Sequence, residues 1–430
     1  MRAAKNLVNS ASGGILALAV ATALFAQGQR GYHVVYNFGA PVAPTPLTGT
    51  GNALYGATQT GGSQGLGSVY ALTLPATHGE PWTYTTLYDF GSNPSDGAYP
   101  YAVSVGGFSN GLPVLYGTTQ SGGKYNKGTV FSLIPPQTPG GTWTEQVLHN
   151  FHGADGWGPL APLAVALRNG EPPVLYGTTG QGGASYGVSS PFGAGAIFSL
   201  TPPATQGGTW TESVLYSFVI GGTAGQVPNN VILTSGPDGA PVLFGFAVIG
   251  GTFGGGVVFS LAEENGTWTY NDIYNLPQSG VISSPTSLTL ASDGVLYGTA
   301  LPGTGGENAG IVYSLTPPIS PGGSWTENTV YSFGSAVDDG VAPQSVVMAG
   351  DGNLYGVTSD GGRDGFGTVY SLTPPTSPGA MWTEDILYNF ASVGLPDGPT
   401  SLVIGPHGTL YGTTSYIGGD TVSAVFALEP

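Results

Sequence analysis

One unit of sequence recurs seven times along the chain and leaves few folds open to it. The unit reads as an apolar segment after proline, a turn, a Leu-Tyr-Gly-Thr-Thr element, a Gly-rich loop and a Gly-Thr-Val-Phe-Ser-Leu-Thr-Pro-Pro run. A second Gly-rich gap then leads to a Trp-Thr-Glu segment ending in Leu-Tyr-Ser-Phe. The first of these elements is centred on Tyr55, Tyr116, Tyr176, Phe244, Tyr297, Tyr355 and Tyr411, so first and last are 356 residues apart over six intervals, about 59 each. A period of that size belongs to propellers and solenoids. Each unit holds four runs of strand length, rich in Val, Tyr, Phe, Leu and Thr, which fits a four-stranded propeller blade better than a solenoid coil. Composition agrees: 75 Gly and 35 Pro among 430 residues interrupt any long helix, while 11% aromatic and 40% hydrophobic residues supply a core.

The sixth unit shows the expected pattern. Ser345 to Met348 is a short apolar strand, Asp351-Gly352 a two-residue hairpin, Leu354 to Thr358 the antiparallel return, Thr368 to Thr373 a third strand, and Trp382 to Phe390 a fourth. Asx-Gly supplies the positive φ of a type I′ turn. The nearly uncharged first strand suits the crowded inner position. Glu145, Glu212, Glu327 and Glu384, two residues after Trp, read as charges on an exposed outer edge that discourage further pairing. The predicted fold is thus an all-β, seven-bladed propeller of four antiparallel strands per blade. A signal peptide is expected over 1–26 and one propeller over 27–430, with repeats near 44–90, 100–151, 160–218, 228–276, 285–333, 343–390 and 399–430. The last unit lacks its Trp strand and Tyr32 to Phe38 is an orphan strand, so together they are expected to complete the seventh blade and leave no open edge.

These tandem units resemble the GloVer-type repeat of the choice-of-anchor family of secreted bacterial proteins, over Tyr32 to Leu428. The resemblance implies an exported propeller and carries no established activity with it. Members bear various C-terminal anchors, whereas this chain ends two residues after its last strand, so attachment through a sorting tail is not expected.

Arg2 and Lys5 followed by the apolar run from Gly13 to Ala26 have the layout of a secretory signal, shorter than the ~20 apolar residues of a membrane span. The expected location is therefore secreted or periplasmic, with no membrane span after signal removal. The full chain carries 24 acidic and 7 basic residues, a net charge of -17. Such a surface repels phosphate backbones and excludes nucleic acid as a partner. With no Cys, thiolate chemistry and disulfides are excluded.

In this strand order two loop families share one face: the Gly-rich loops after each second strand, and the loops from each outer strand to the next inner one. The second family carries Asp96, Asp155, Asp339 and Asp397, each followed by Gly. They read either as a ring of carboxylates at the channel mouth, suited to Ca²⁺ or a polyol, or as caps of their own turns. Tyr125, Tyr186 and Phe366 in the Gly-rich loops, with Trp157 nearby, offer rings to a saccharide or plug gaps between blades. The loop Gly180 to Gly195 is enlarged, and Lys124, Lys127 and Arg363 bring cations to this face. The opposite face, made of short hairpins and Pro-Pro connections, is expected to leave little room for a pocket. No HExxH or phosphate-loop motif occurs, and of five His only His152 lies beside the candidate face. The leading expectation is a secreted, non-catalytic binding or structural propeller whose partner is a polysaccharide or cell-surface protein. The alternatives are a propeller hydrolase, lyase or lactonase with a metal in the central channel, and a purely structural repeat protein.

Overall fold

The computed structural model describes residues 31–430 except 41, 78–79, 94, 139, 169, 206, 278–281, 304–308, 321–322, 378–379, 392–397 and 416–421. The signal-like segment, Asp397 and Tyr416 lie outside the described residues. Seven four-stranded antiparallel sheets form a ring. No α-helix occurs among the described residues; the only helical element is the single 3₁₀ turn Pro406–Gly408. Blade 2 is representative, running from inner to outer edge as Gly97–Ser109, Leu112–Gly122, Thr129–Ile134 and Thr144–Asn150. Blades 1 and 3–6 span 48–89, 164–217, 226–277, 282–332 and 340–389. The seventh sheet contains Pro399–Ile404, Leu410–Thr414 and Ala424–Leu428, with His33–Asn37 paired antiparallel outside the last of these. The inner strand of blade 6 is longer than expected, Gly340–Met348, because it starts at the Asp-Gly turn rather than after Pro343, whereas that of blade 1 is only Thr48–Thr50.

The repeated residues explain one another through packing. The glycine of each Leu-Tyr-Gly element sits opposite the aromatic residue of the third strand, as Gly117 opposite Phe131 and Gly177 opposite Phe198, and likewise in all seven blades. The ring lies across the glycine; a Cβ on Gly117 would stand 2.5 Å from Phe131 Cζ and 2.7 Å from the Ala102 carbonyl. From the other side, the Phe closing the previous blade's outer strand meets the same ring. Phe90 is 5.2 Å from Phe131, Phe151 5.1 Å from Phe198, Phe333 5.0 Å from Tyr370, Phe390 5.4 Å from Phe426, and Phe38 5.4 Å from Tyr70. Leu276 takes the Phe position where blade 4 meets blade 5. The buried residues accordingly form seven clusters, each shared by two adjacent blades.

A β-bulge recurs in the outer strand, at Leu87, Leu148, Leu215, Ile273, Val330, Leu387 and Val35. Strict alternation would put Glu384 and Tyr388 on one face. The extra residue at Leu387 places Glu384 opposite Leu372 but Tyr388 opposite Val369, on the other face. The outer strand of blade 6 therefore shows Trp382 and Glu384 to the blade before it and Tyr388 and Phe390 to the blade after it.

Gly117→Ala should force Phe131 or the inner strand to move and lower stability by about 1–3 kcal/mol, measured as the urea midpoint. Gly350→Ala, where a Cβ meets nothing within 4 Å, should stay within about 0.5 kcal/mol of the parent.

Candidate functional site

The bulge dictates what stands in each seam between blades. In three seams two tyrosines stack face to face: Tyr216 on Tyr270 at 4.2 Å, Tyr32 on Tyr388 at 3.8 Å and Tyr36 on Tyr84 at 4.3 Å. In three others a Glu replaces the second Tyr, giving Tyr88 with Glu145, Tyr274 with Glu327 and Tyr331 with Glu384. These glutamates are thus half-buried between blades and are not the exposed edge charges that period-2 alternation suggested. The bulge, which no residue type in the strand announces, reverses the reading.

The recurrent Asp residues turn into the same seams. Asp96 is 6% exposed, and its Oδ2 accepts from the Tyr88 hydroxyl at 2.9 Å and the Gly91 N–H at 3.0 Å. Asp339 is 5% exposed and accepts from Ser335 N–H at 3.1 Å, its neighbour Gly340 N–H at 2.7 Å, and the Tyr331 hydroxyl at 3.3 Å. That hydroxyl also reaches Glu384 Oε2 at 2.9 Å. One phenolic proton thus faces two carboxylates. Burial pushes the carboxyl of Glu384 up to about 7, with the charge of Asp339 adding to the effect, and burial with Asp96 does the same to Glu145. Burial likewise raises Asp96, against the opposing Tyr88 and Gly91 hydrogen bonds. The described aspartates cap turns and bridge blades, so the open carboxylate ring at the channel mouth is not formed by them.

Blade 2 departs from this pattern on its Gly-rich loop face. The loop residue before the Gly-Thr-Val strand is Leu66 in blade 1 and Phe366 in blade 6, and both pack onto core clusters. Phe366 is therefore a plug between blades, not a ligand-facing ring. Blade 2 has Lys127 there, with its Nζ 3.9 Å from the centroid of Trp157 and 4.9 Å from that of Tyr186. Trp157 holds the position of Ala98 and Val341 in the equivalent loops. Its backbone is pinned by a reciprocal pair: Trp157 N–H donates to Gln181 C=O at 2.8 Å, and Gln181 N–H to Trp157 C=O at 3.0 Å. The enlarged loop after Thr179 brings Phe192, 54% exposed, to 5.9 Å from Trp157, and Tyr186 to 6.4 Å. Tyr125 stands exposed beside them, 5.0 Å from Lys124 Nζ and 6.0 Å from the His152 ring. A cleft of about 340 Å³ runs beside Trp157, with Gln120, Ser121 and Gln181 as polar walls and Leu160 and Val227 as apolar ones. Of the residues singled out in the sequence, Asp155, Trp157, Tyr125 and Tyr186 are gathered here, while Asp96, Asp339 and Phe366 belong to other seams.

The opposite face is less closed than its short connections suggested. A groove of about 1040 Å³ lies between blades 2 and 3, bounded by Tyr116, Trp210, Arg168 and the Pro202-Pro203 connection. Its Trp, however, is part of the common frame: Trp210 edges onto Tyr116 at 6.0 Å as Trp268 does onto Tyr176 at 5.8 Å and Trp382 onto Tyr297 at 5.9 Å. Arg168 is paired to Glu171 at 2.8 Å.

Seven sheets of four strands in a ring define a β-propeller. The chain belongs to the family of the Gloeobacter/Verrucomicrobia repeat, whose model matches residues 25–241 and 233–430. No curated protein matches it in sequence. Among solved structures it is similar to the polysaccharide lyase Uly1, with 12% identity over 96% of this chain and 95% of that one and a TM-score of 0.49. It is also similar to the α-L-arabinanase of Penicillium chrysogenum complexed with arabinobiose, with 13% identity over 92% and 98% and a TM-score of 0.44. At these identities the likeness concerns the fold.

The raised carboxyls set a pH dependence. The folded protein holds the Glu384 proton up to about 7 against an ordinary value of 4.5, so this contribution is full below about 4.5 and is lost as pH rises through about 7. Glu384→Gln keeps the acceptor for Tyr331 and removes the ionisation. Its urea midpoint should fall less than the parent's between pH 4.5 and 8 and exceed it at pH 8; a lower midpoint at pH 8 would show that the ionised carboxylate stabilises the seam.

Proposed function

We propose that the protein is a secreted, non-catalytic binding propeller that takes a carbohydrate polymer in the Trp157 cleft. The observation that carries this reading is the set of departures concentrated at one place: Lys127 over Trp157 and Tyr186, with Phe192 stacked on Trp157, beside a cleft with amide and hydroxyl walls. Aromatic faces suit the C–H faces of sugar rings, while Gln and Ser side chains suit their hydroxyls. In a chain of net charge -17, a lysine held at an aromatic cluster also offers a partner to a uronate or sulfate group on the same polymer. Loops mounted on a rigid ring are where ligand contacts vary most freely. The signal-like segment and the family resemblance favour a place outside the cytoplasm. Among the described residues no helix is long and apolar enough to cross a membrane.

A polysaccharide array of neutral and uronate-bearing polymers is the direct test. Trp157→Ala should weaken any binding at least about tenfold. Lys127→Gln should weaken uronate-bearing polymers more than neutral ones, and Arg168→Ala in the opposite groove should have no effect. Binding lost with Arg168→Ala alone would move the site to that groove.

Export is tested separately by intact-mass measurement on protein from its native host. The mature chain should begin between Leu24 and Arg30, and retention of Met1 would refute secretion through this segment.

A further inference from the structure

The seam between blades 2 and 3 differs from the other six in one residue type. Where the others carry Tyr near the end of the outer strand, this one carries His149, facing Glu212 of blade 3 and Asp155 of its own blade. One ligand atom from each of His149, Asp155 and Glu212 lies within 4.8 Å of the others. His149 Nε2 is 2.8 Å from Asp155 Oδ2, and His152 Nε2 is 3.4 Å from the same oxygen. We propose that His149, Asp155 and Glu212, with His152 or water as a fourth ligand, form a binding site for a divalent transition-metal cation of the zinc class, built into the wall between two blades.

The donor set has the chemistry of such a site. Two imidazoles and two carboxylates are the nitrogen and oxygen ligands that Zn²⁺ and its neighbours take, whereas Ca²⁺ and Mg²⁺ take oxygen. Bonds of about 2.0–2.2 Å place tetrahedral ligand atoms roughly 3.2–3.6 Å apart. The His149–Asp155 contact therefore opens by a few tenths of an ångström to admit an ion, and Glu212 closes toward it. The first carboxylate is already oriented from behind: Asp155 Oδ1 accepts from the His152 N–H at 2.9 Å and the Gly153 N–H at 3.2 Å. Such outer hydrogen bonds fix a ligand's direction. Asp155 is 5% exposed, which keeps competing water away from that side. Glu212 Oε1 is buried without a hydrogen-bond partner, as are Glu145 Oε1 and Glu384 Oε1 in the sibling seams, and of these three only Glu212 is grouped with an imidazole. His152, with its side chain 51% exposed, leads from this interior to solvent and supplies the fourth arm or yields it to water. Its ring also lies against Tyr125, so the metal would tie the seam to the loop that carries Lys124 and Lys127.

The sibling seams provide a variant expected to fold. Tyr88 and Tyr331 occupy the His149 position in front of an Asp and a Glu, so His149→Tyr recreates an arrangement the molecule already uses twice. Untagged full-length protein, stripped with a chelator and dialysed, would be titrated calorimetrically with Zn²⁺, Co²⁺ and Ca²⁺ and melted with and without each ion. The parent should bind one Zn²⁺ per chain and melt higher with it, Co²⁺ should give the visible absorption of a tetrahedral nitrogen and oxygen site, and Ca²⁺ should do neither. His149→Tyr should melt like the metal-free parent and lose Zn²⁺ affinity at least about tenfold, with His152→Ala intermediate. The proposal is overturned if the parent takes up no Zn²⁺, if Ca²⁺ binds there as well as Zn²⁺, or if His149→Tyr retains the parent's affinity. In the first case the seam is a hydrogen-bonded bridge in which Glu212 keeps its proton.

Discussion

The ring depends on a contact that joins three strands of two blades: a third-strand aromatic laid across a second-strand glycine and met edge-on by the closing Phe of the blade before. Phe131 over Gly117, with Phe90 at 5.2 Å, is one instance. Burying such a ring contributes on the order of 2–3 kcal/mol, and an edge-to-face pair adds about 0.5–1.5 kcal/mol. More important than either figure is the direction of the dependence. A blade alone would leave its aromatic ring covered on one side only, so its core is completed by its neighbours. Phe38 on the strand before blade 1 completes Tyr70 in the same way that Phe390 completes Phe426. Because the clusters are all shared, the cooperative unit is the ring and not the blade.

A second requirement follows from packing blades so closely. In blades 1 to 6 the glycine at the start of the third strand has positive φ, +94° at Gly128, and a Cβ there would press on Pro159 of the next blade, 2.9 Å from its Cδ. Gly and the following blade's Pro therefore recur together because they touch, though about 30 residues separate them in sequence. At the periphery the requirement relaxes. A seam tolerates Tyr on Tyr, Tyr on Glu, or His on Glu, since each pair fills the same space between bulged outer strands. What changes with the pair is electrostatic. Stacked tyrosines bring no charge into the seam, whereas burial raises the carboxyl of a Glu there above its ordinary value.

The number of blades, their strand order and the hairpin turns were legible because each is written seven times, and repetition averages out the ambiguity of any single short strand. Asn110-Gly111 takes the positive φ of a two-residue type I′ turn as expected, whereas at Asp351-Gly352 only the glycine does, inside a five-residue loop from Ala349 to Asn353. The placement of Glu145, Glu212, Glu327 and Glu384 was not legible, because a one-residue bulge inverts the face of everything beyond it and Leu387 looks like any other strand leucine. The recurrent Asp residues were correctly grouped in one loop family, but their burial depends on Tyr88 or Tyr331 eight residues earlier folding back over them. Lys127 was visible as a cation in a loop. Its stacking over Trp157 joins a loop of blade 2 to the start of blade 3, where Trp157 pairs with Gln181 as Ala98 pairs with Ser121 and Val341 with Asp360. His149 sits in its strand with no local sign of a role, and its approach to Glu212 crosses a seam 63 positions wide in sequence.

In a repeat protein the recurring positions are answerable to the ring, and the positions where one blade departs are free to answer to something else. Replacing Leu66 or Phe366 by lysine would remove an apolar plug from a shared core. Blade 2 carries Lys127 at that place and recovers the loss by laying the ammonium on Trp157 and Tyr186, residues supplied by its neighbouring loops. The exchange leaves the ring intact and turns a buried plug into a charged, aromatic-lined surface. His149 is the same kind of exchange at the outer edge, where a tyrosine that filled a seam gives way to a ring that fills it and also brings nitrogen ligands toward two carboxylates. Both departures fall in blade 2, within reach of the enlarged loop of blade 3. His152 and Tyr125 connect them through a single ring contact. Two independent relaxations of the repeat thus converge on one sector of one face, while the remaining blades keep the pattern that holds that sector in place.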